Sequence, residues 1–355
     1  MIEDIFTSGE PAWVGRISAD NSRHDPIIQS SSVRVRRNIE GFPFPGRCAK
    51  SQLYDSAAEA LGSLGRSPVW NDCDFRLIDS LDDVSRNILL EMNMITPKLM
   101  QGGAGRFLLR DCAGMTTCMI NEEDHISIVS TYPGLDLNSA LKTVSDMERS
   151  LEIRLVKDVV LGYLTANPSY VGTGTTATVV LHLPALCETE DISRVSDSLR
   201  RDWNGLELEK LLSLGNESYG GFFALSNRTT LSVTPEEIVR IASQAAAALV
   251  SRELYSRQKL KLSVDDNLND RFRRSWGMLR HAKKLSYAEA MDAFSFVKLG
   301  ADIGILPKID DIEWRRMIMG CQRYHMSRGS EAIMDQSEES FARAAMFRQF
   351  IEELN

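Results

Sequence analysis

Gly162-Tyr-Leu-Thr-Ala-Asn-Pro-Ser-Tyr-Val-Gly-Thr-Gly-Thr-Thr-Ala-Thr-Val-Val-Leu-His-Leu-Pro-Ala-Leu186 is the most informative stretch of this chain of 355 residues. Asn167-Pro168 and Gly172-Thr-Gly174 punctuate it as turns, and Thr178 to Leu183 is a β-branched and apolar run. A tight turn feeding a strand explains both glycines without any appeal to function. Upstream, Ser32-Val-Arg-Val-Arg36 alternates with period two, and Met119 to Val129 is β-rich around a charged interruption. Gly41-Phe-Pro-Phe-Pro-Gly46 is a further turn signal. Asn138 to Leu151 and Glu190 to Leu199 read as amphipathic helices between these runs. Strands and helices interspersed in this way give an α+β fold.

From Thr234 the pattern becomes almost purely helical. Thr234-Pro-Glu-Glu237 is a helix start, with a hydroxyl to accept from the first-turn amides and proline at the first helical position. The apolar positions Ile238, Ile241, Ala245, Leu249 and Leu254 carry that helix toward Lys259. Ser286-Tyr-Ala-Glu289 repeats the capping pattern, and a last helix is expected from about Ser337 to Leu354. These signals predict a domain over residues 1–260 and an all-helical one over 261–355. A plain helical bundle accounts for the tail on composition alone.

A formal charge of −8 and a pI near 5.3 argue against a nucleic-acid partner, which needs clustered positive charge. The six cysteines contain no C-x-x-C pair, so neither a zinc site nor a disulfide framework is expected. No run of 18 apolar residues occurs, and the N-terminus carries acids rather than a basic region before an apolar one. A cytoplasmic protein without a membrane span or bound metal is the expectation.

Two strings carry chemistry. In Ser30-Ser-Ser-Val-Arg-Val-Arg-Arg-Asn38, Arg34 and Arg36 fall on one face of a strand, and two guanidinium forks side by side suit a polyanion. A solvated basic strand edge is the alternative. Asn121-Glu-Glu-Asp-His125 places three consecutive acids inside a β-rich run, which is costly unless they end a strand at a cleft or sit on a turn.

Together these strings resemble the ATP:guanidino phosphotransferases, in their bacterial protein-arginine kinase branch. That family's strand reads S-S-R-[IV]-R-x-x-R-N, its carboxylate motif is N-E-E-D-H, and its long loop reads G-Y-L-T-S-C-P-T-N-x-G-T-G-x-R-A-S-V before H-L-P-A-L. Tyr132-Pro-Gly-Leu-Asp-Leu137 and Leu299-Gly-Ala-Asp-Ile-Gly-Ile305 continue the likeness, which covers residues 25 to 350. The resemblance implies a guanidino-kinase catalytic domain with a large antiparallel sheet flanked by helices. It also implies ATP with Mg²⁺, protein substrates, a homodimer formed through the helical tail, and activation by a zinc-binding adaptor protein.

Carried over residue by residue, the resemblance makes Glu123, with Glu122 beside it, the carboxylate that orients and deprotonates a substrate guanidinium. The nucleotide side falls on Ser30, Ser31, Ser32, Arg34, Arg36, Asn93, Ser127, Thr176, Thr178 and Val180. Several of these are substitutions. Family arginines fall on Ser32, Ser127 and Thr176, the family histidine near the nucleotide on Asn93, and the substrate-side cysteine on Asn167. Counting back from Gly220-Gly221 places the second catalytic glutamate at Leu214, with no arginine between Arg201 and Arg228. In the tail, the R-D-x-x-R-A sequence that binds phosphoarginine in the family falls on Glu339, Ser340, Arg343 and Ala344.

Phosphoryl transfer relies on positioning and charge cancellation, and one transition-state arginine is worth roughly 10³–10⁵ in rate in related chemistry. Erosion of four of five such positions predicts a pseudokinase-like scaffold that binds the adaptor. A protein-arginine kinase working through Arg34, Arg36 and Glu123 is the alternative, and a small-guanidine kinase the least favoured.

Overall fold

The computed structural model describes residues 10–16, 27–67, 70, 73–189, 192–203, 205–212, 218–328 and 333–354. Among them an eight-stranded sheet runs in the order β2-β3-β4-β5-β1-β8-β10-β9, with all seven neighbouring pairs antiparallel. Its strands are β1 (Ile28–Arg37), β2 (Asp74–Leu77), β3 (Phe107–Arg110), β4 (Thr116–Ile120), β5 (Ile126–Pro133), β8 (Thr175–His182), β9 (Leu206–Leu212) and β10 (Ser218–Asn227). A short hairpin, β6 (Lys157–Asp158) with β7 (Gly162–Tyr163), stands apart from the sheet. The antiparallel sheet and helical tail agree with the fold that the sequence predicts.

Two central strands define the site. β1 pairs with β5 on one side and β8 on the other, placing Arg34 between Val129 and Thr176. Because strand side chains alternate, Ser30, Ser32, Arg34 and Arg36 share one face and Val33 and Val35 the other. Val33 and Val35 are buried, in apolar clusters with α4 (Leu137–Arg149). Helices α1 (Lys50–Arg66), α5 (Pro184–Thr189), α6 (Ile192–Asp202) and α7 (Pro235–Leu262) complete this layer. Gly172 and Gly174 earn their place in the turn before β8. Both have positive φ, and a Cβ on Gly172 would overlap the Thr230 carbonyl.

On the other side, α2 (Asp83–Glu91) and α3 (Pro97–Met100) flank β3 and β4. The remaining helices are α8 (Asp266–His281), α9 (Tyr287–Asp302), α10 (Asp311–Gly320), α11 (Arg323–Met326) and α12 (Gln336–Glu353). The predicted caps form: Thr234 accepts from the Glu237 amide, and Ser286 with Glu289 makes a complete capping box. α7 spans two cores. Its first turns pack under the sheet through Ile238, Ala242 and Leu249, whereas Leu260 packs with Phe272 and Ile303 of the tail. The tail core also takes in Phe222 of β10, so sheet and tail share packing. No helix among the described residues is long and apolar enough to cross a membrane.

Candidate functional site

The polar face of β1 opens onto a cavity of about 500 Å³. Ser30, Ser32, Arg34 and Arg36 form its floor with Thr176, Thr178 and Val180 of β8. At strand spacing, the row from Ser30 to Arg36 is about 20 Å long. Arg34 and Arg36 bring charge to the cavity, and Phe222, Ile318 and Met319 add apolar lining.

Arg34 has no hydrogen-bond or ion-pair partner among the described residues, although it is only partly accessible. Burial, reinforced by the charge of Arg36, pushes its guanidinium down to about 10. A cation held unpaired in a cavity is an incomplete site, because its desolvation is compensated only when an anion arrives. Arg36 is better satisfied. Its Nη1 donates to Thr176 Oγ1 at 2.8 Å, and its guanidinium lies 3.7 Å over the Tyr170 ring. Arg36 thus brings a guanidinium from β1 to the β8 position where the resemblance places an arginine.

Ser31 does not join this row, contrary to the expectation that it faces nucleotide. Strand alternation turns it to the opposite face, where its hydroxyl accepts from the Asp136 amide at the start of α4. Ser127 opposes Arg36 on β5 but is fully buried, and its hydroxyl has no hydrogen-bond partner among the described residues. Asn93 borders the cavity and ends α2 with φ of 56°, a left-handed conformation that asparagine tolerates.

Asn121 to His125 forms the turn between β4 and β5. Asn121 takes φ of 55° there and anchors the turn through its side chain, donating to the Leu53 and Gly105 carbonyls. Glu122 accepts from Thr96 Oγ1 at 2.6 Å, and Asp124 accepts from Asn38 and the Ala166 amide. Glu123 is the acid left toward solvent, 3.4 Å from Lys98 Nζ. Glu122 acts electrostatically on Arg34, and all three acids act on Arg36, so acid turn and arginine strand are neighbours. Asn167 caps a short turn, accepting from the Ser169 amide. Leu214 lies outside the described residues.

His125 is a structural member of this turn. It is fully buried, its Nδ1 accepts from the Ile39 amide, and burial pushes its imidazole down to about 4. Below pH 6.5 the unfolded chain therefore takes up a proton that the folded chain refuses until about pH 4. The His125 contribution to stability is full above pH 6.5 and is lost across that window, by an amount on the order of 3 kcal/mol. The check is urea unfolding at pH 7 and pH 4.5. His125→Asn, which keeps an acceptor for Ile39, should reduce the pH slope, His182 supplying part of the remainder, and an unchanged slope would remove His125 as a cause.

The tail residues Glu339, Ser340, Arg343 and Ala344 lie on α12 and do not line this cavity, although the Arg343 guanidinium is 5.7 Å from the ring of Tyr287 in its wall. Arg343 is buried and donates to the carbonyls of Cys321 and Leu285. Glu339 sits 2.6 Å from Arg323 and 3.8 Å from Arg343, Ser340 bonds to the Gln336 carbonyl, and Ala344 is core.

Comparison with known proteins settles the lineage. The sequence profile "ATP:guanido phosphotransferase, C-terminal catalytic domain" matches residues 63–255, more than half of the chain. The chain belongs to the ATP:guanido phosphotransferases. The "Protein-arginine kinase McsB C-terminal domain" profile matches residues 265–355. Protein-arginine kinase from Symbiobacterium thermophilum is 31% identical over 350 residues, covering 97% of this chain and 98% of that one. The enzyme of the same name from Geobacillus sp. strain WCH70 is 30% identical, covering 98% and 95%. Among solved structures, lombricine kinase superposes with a TM-score of 0.55 at 19% identity over 68% of each chain. The duplicated taurocyamine kinase from Schistosoma mansoni gives 0.58 at 19%, covering 76% of this chain and 41% of that one. These last two share the fold.

In this phosphotransferase homologue, sequence motifs do not reveal the far wall of the cavity. Trp13, Glu91, Arg315 and Gln322 reach it from segments remote in the chain. No local pattern marks such residues; only the packing of the tail against α2 and β1 does.

Proposed function

We propose that this chain is a nucleotide-binding, catalytically weakened protein-arginine kinase homologue that acts by holding a partner protein. The observation that carries this reading is the row Ser32, Arg34, Arg36 facing Thr176 and Thr178, with the Arg34 guanidinium unpaired among the described residues. Arg34 supports capture of a phosphate. Ser32, Ser127 and Thr176 are neutral hydroxyls where the resemblance puts arginines, and a hydroxyl cannot cancel charge developing on a transferred phosphoryl group. ATP is the ligand the family implies. No cluster of three or more metal-ligating side chains is found among the described residues, so Mg²⁺ would arrive on the nucleotide phosphates and keep its waters. The partner in this reading is a zinc-binding adaptor in the cytoplasm, engaged by a homodimer joined through the helical tail.

The second reading is an active protein-arginine kinase. The position of Arg36 favours it, since its guanidinium stands at Thr176 and supplies part of the missing charge.

Phosphoarginine formation on a protein substrate, measured with ATP and with or without adaptor, separates the two. Under the regulatory reading, ATP raises the melting temperature, phosphoarginine stays at background, and Glu123→Ala leaves the adaptor complex intact. Robust phosphoarginine that disappears in Glu123→Ala establishes the second reading instead.

A further inference from the structure

The cavity is not enclosed by the sheet alone. Arg315, Ile318, Met319 and Gln322, from α10 and the turn after it, form part of its wall, together with Tyr287 at the start of α9. This wall is fastened to the rest of the molecule by two clasps. In the first, the Glu91 carboxylate at the end of α2 accepts from the backbone amides of Tyr324 and His325 at 2.9 and 3.0 Å. It also lies 2.6 Å from His325 Nδ1. In the second, Arg315 donates to the carbonyls of Val14 and Arg16, tying α10 to the segment that presents Trp13 to the cavity.

Glu91 has a double position. Its side chain is 1% exposed and its charge is spent on α11, yet the residue borders the cavity two positions from Asn93. Opening the clasp would strand a buried carboxylate beside the space that Arg34 prepares for an anion, and that carboxylate would repel the ligand. Keeping it closed both builds the wall and keeps the carboxylate hydrogen-bonded.

We propose that the Glu91–α11 clasp couples the cavity to the helical tail, so that an anion with an apolar or aromatic body binds only while α10 and α11 are docked. The inference rests on the reading of the cavity as a nucleotide site and specifies its regulation. A ligand that touches sheet and tail together stabilises their docked arrangement, and reciprocally any partner that pulls α11 away from Glu91 lowers ligand affinity by the same factor. Gln322 and Met319 become positioning residues for the ligand's body, while Arg34 takes its charge.

Hydrogen exchange on the full chain, with ADP as the probe, tests this. ADP is expected to slow exchange in residues 311–326 as well as in β1 and β8. Glu91→Gln is expected to remove the added protection of α11 and weaken ADP binding about tenfold, a typical coupling between sites. His325→Ala, which leaves Glu91 and its backbone bonds in place, is expected to weaken binding less. Protection confined to β1 and β8, or an unchanged affinity in Glu91→Gln, overturns the coupling and leaves the nucleotide site standing. Failure of ADP to bind the wild-type chain removes the nucleotide reading and this inference with it.

Discussion

Arg34→Met is expected to abolish the response to nucleotide and, without ligand, to leave the protein more stable than the wild type. The two signs have one cause. In the free protein the Arg34 guanidinium has no partner among the described residues, and burial together with Arg36 lowers its pKa to about 10. That environment disfavours the charged form, and an apolar side chain of similar length removes the penalty while keeping the stem's packing. In the nucleotide-binding reading, the same guanidinium donates two charge-assisted hydrogen bonds to phosphate. Each is worth about 1.5–3 kcal/mol, so losing both weakens binding by roughly a hundredfold or more. Titration calorimetry with ADP and thermal unfolding without ligand measure the two effects. A variant that still binds ADP within about threefold of wild type, a difference below 1 kcal/mol, would place the phosphates elsewhere. A ligand-free variant less stable than wild type would mean that Arg34 has a structural partner.

Much of this site was legible before any fold was known, and the reasons for the gaps are physical. Period-two alternation from Ser32 to Arg36 puts Arg34 and Arg36 on one face, and the structure keeps them together in the row that begins at Ser30. Alternation also excludes Ser31 from the row, yet motif matching alone placed it there, because a motif does not distinguish the two faces of a strand. The acids of Asn121 to His125 fit a turn because three adjacent charges cannot all be buried on strands, and the structure has that turn between β4 and β5. Comparing positions registers Thr176 as a lost arginine. It cannot register that Arg36, 140 residues away, places a guanidinium there. The Glu91 clasp escapes for the same reason. Its partners are more than 230 residues distant, and a glutamate ending a helix resembles any solvated one until α11 is set against it. Local chemistry writes elements into sequence, whereas walls and compensations arise from contacts between elements.

Trp314→Ala is expected to cause the largest loss of stability of any single change considered for this chain, and to act on both halves of the molecule. Trp314 on α10 is completely buried. Its ring lies 4.3 Å from that of Phe294, 5.1 Å from His182 of β8 and 6.0 Å from Phe222 of β10. Truncating a tryptophan in such a place costs about 3–5 kcal/mol in lost transfer energy and cavity formation. A second penalty follows, because Trp314 Nε1 donates to Gln29 Oε1 at 3.0 Å and the variant removes that buried hydrogen bond, at about 0.5–1.5 kcal/mol. Gln29 lies in β1, immediately before the row that lines the cavity. The same change therefore loosens the tail and the strand that carries Arg34. Urea unfolding followed by circular dichroism should show a midpoint shift equivalent to several kcal/mol, with the helical tail melting before the sheet. Trp314→Phe retains part of the ring packing while losing the bond to Gln29, so its cost should fall between that of the lost hydrogen bond and that of Trp314→Ala. If Trp314→Ala instead costs less than about 1 kcal/mol, the tail is not docked on the sheet through this residue, and tertiary coupling runs through other contacts, among them the Glu91 clasp, the Arg315 clasp and the His182–Ser295 hydrogen bond.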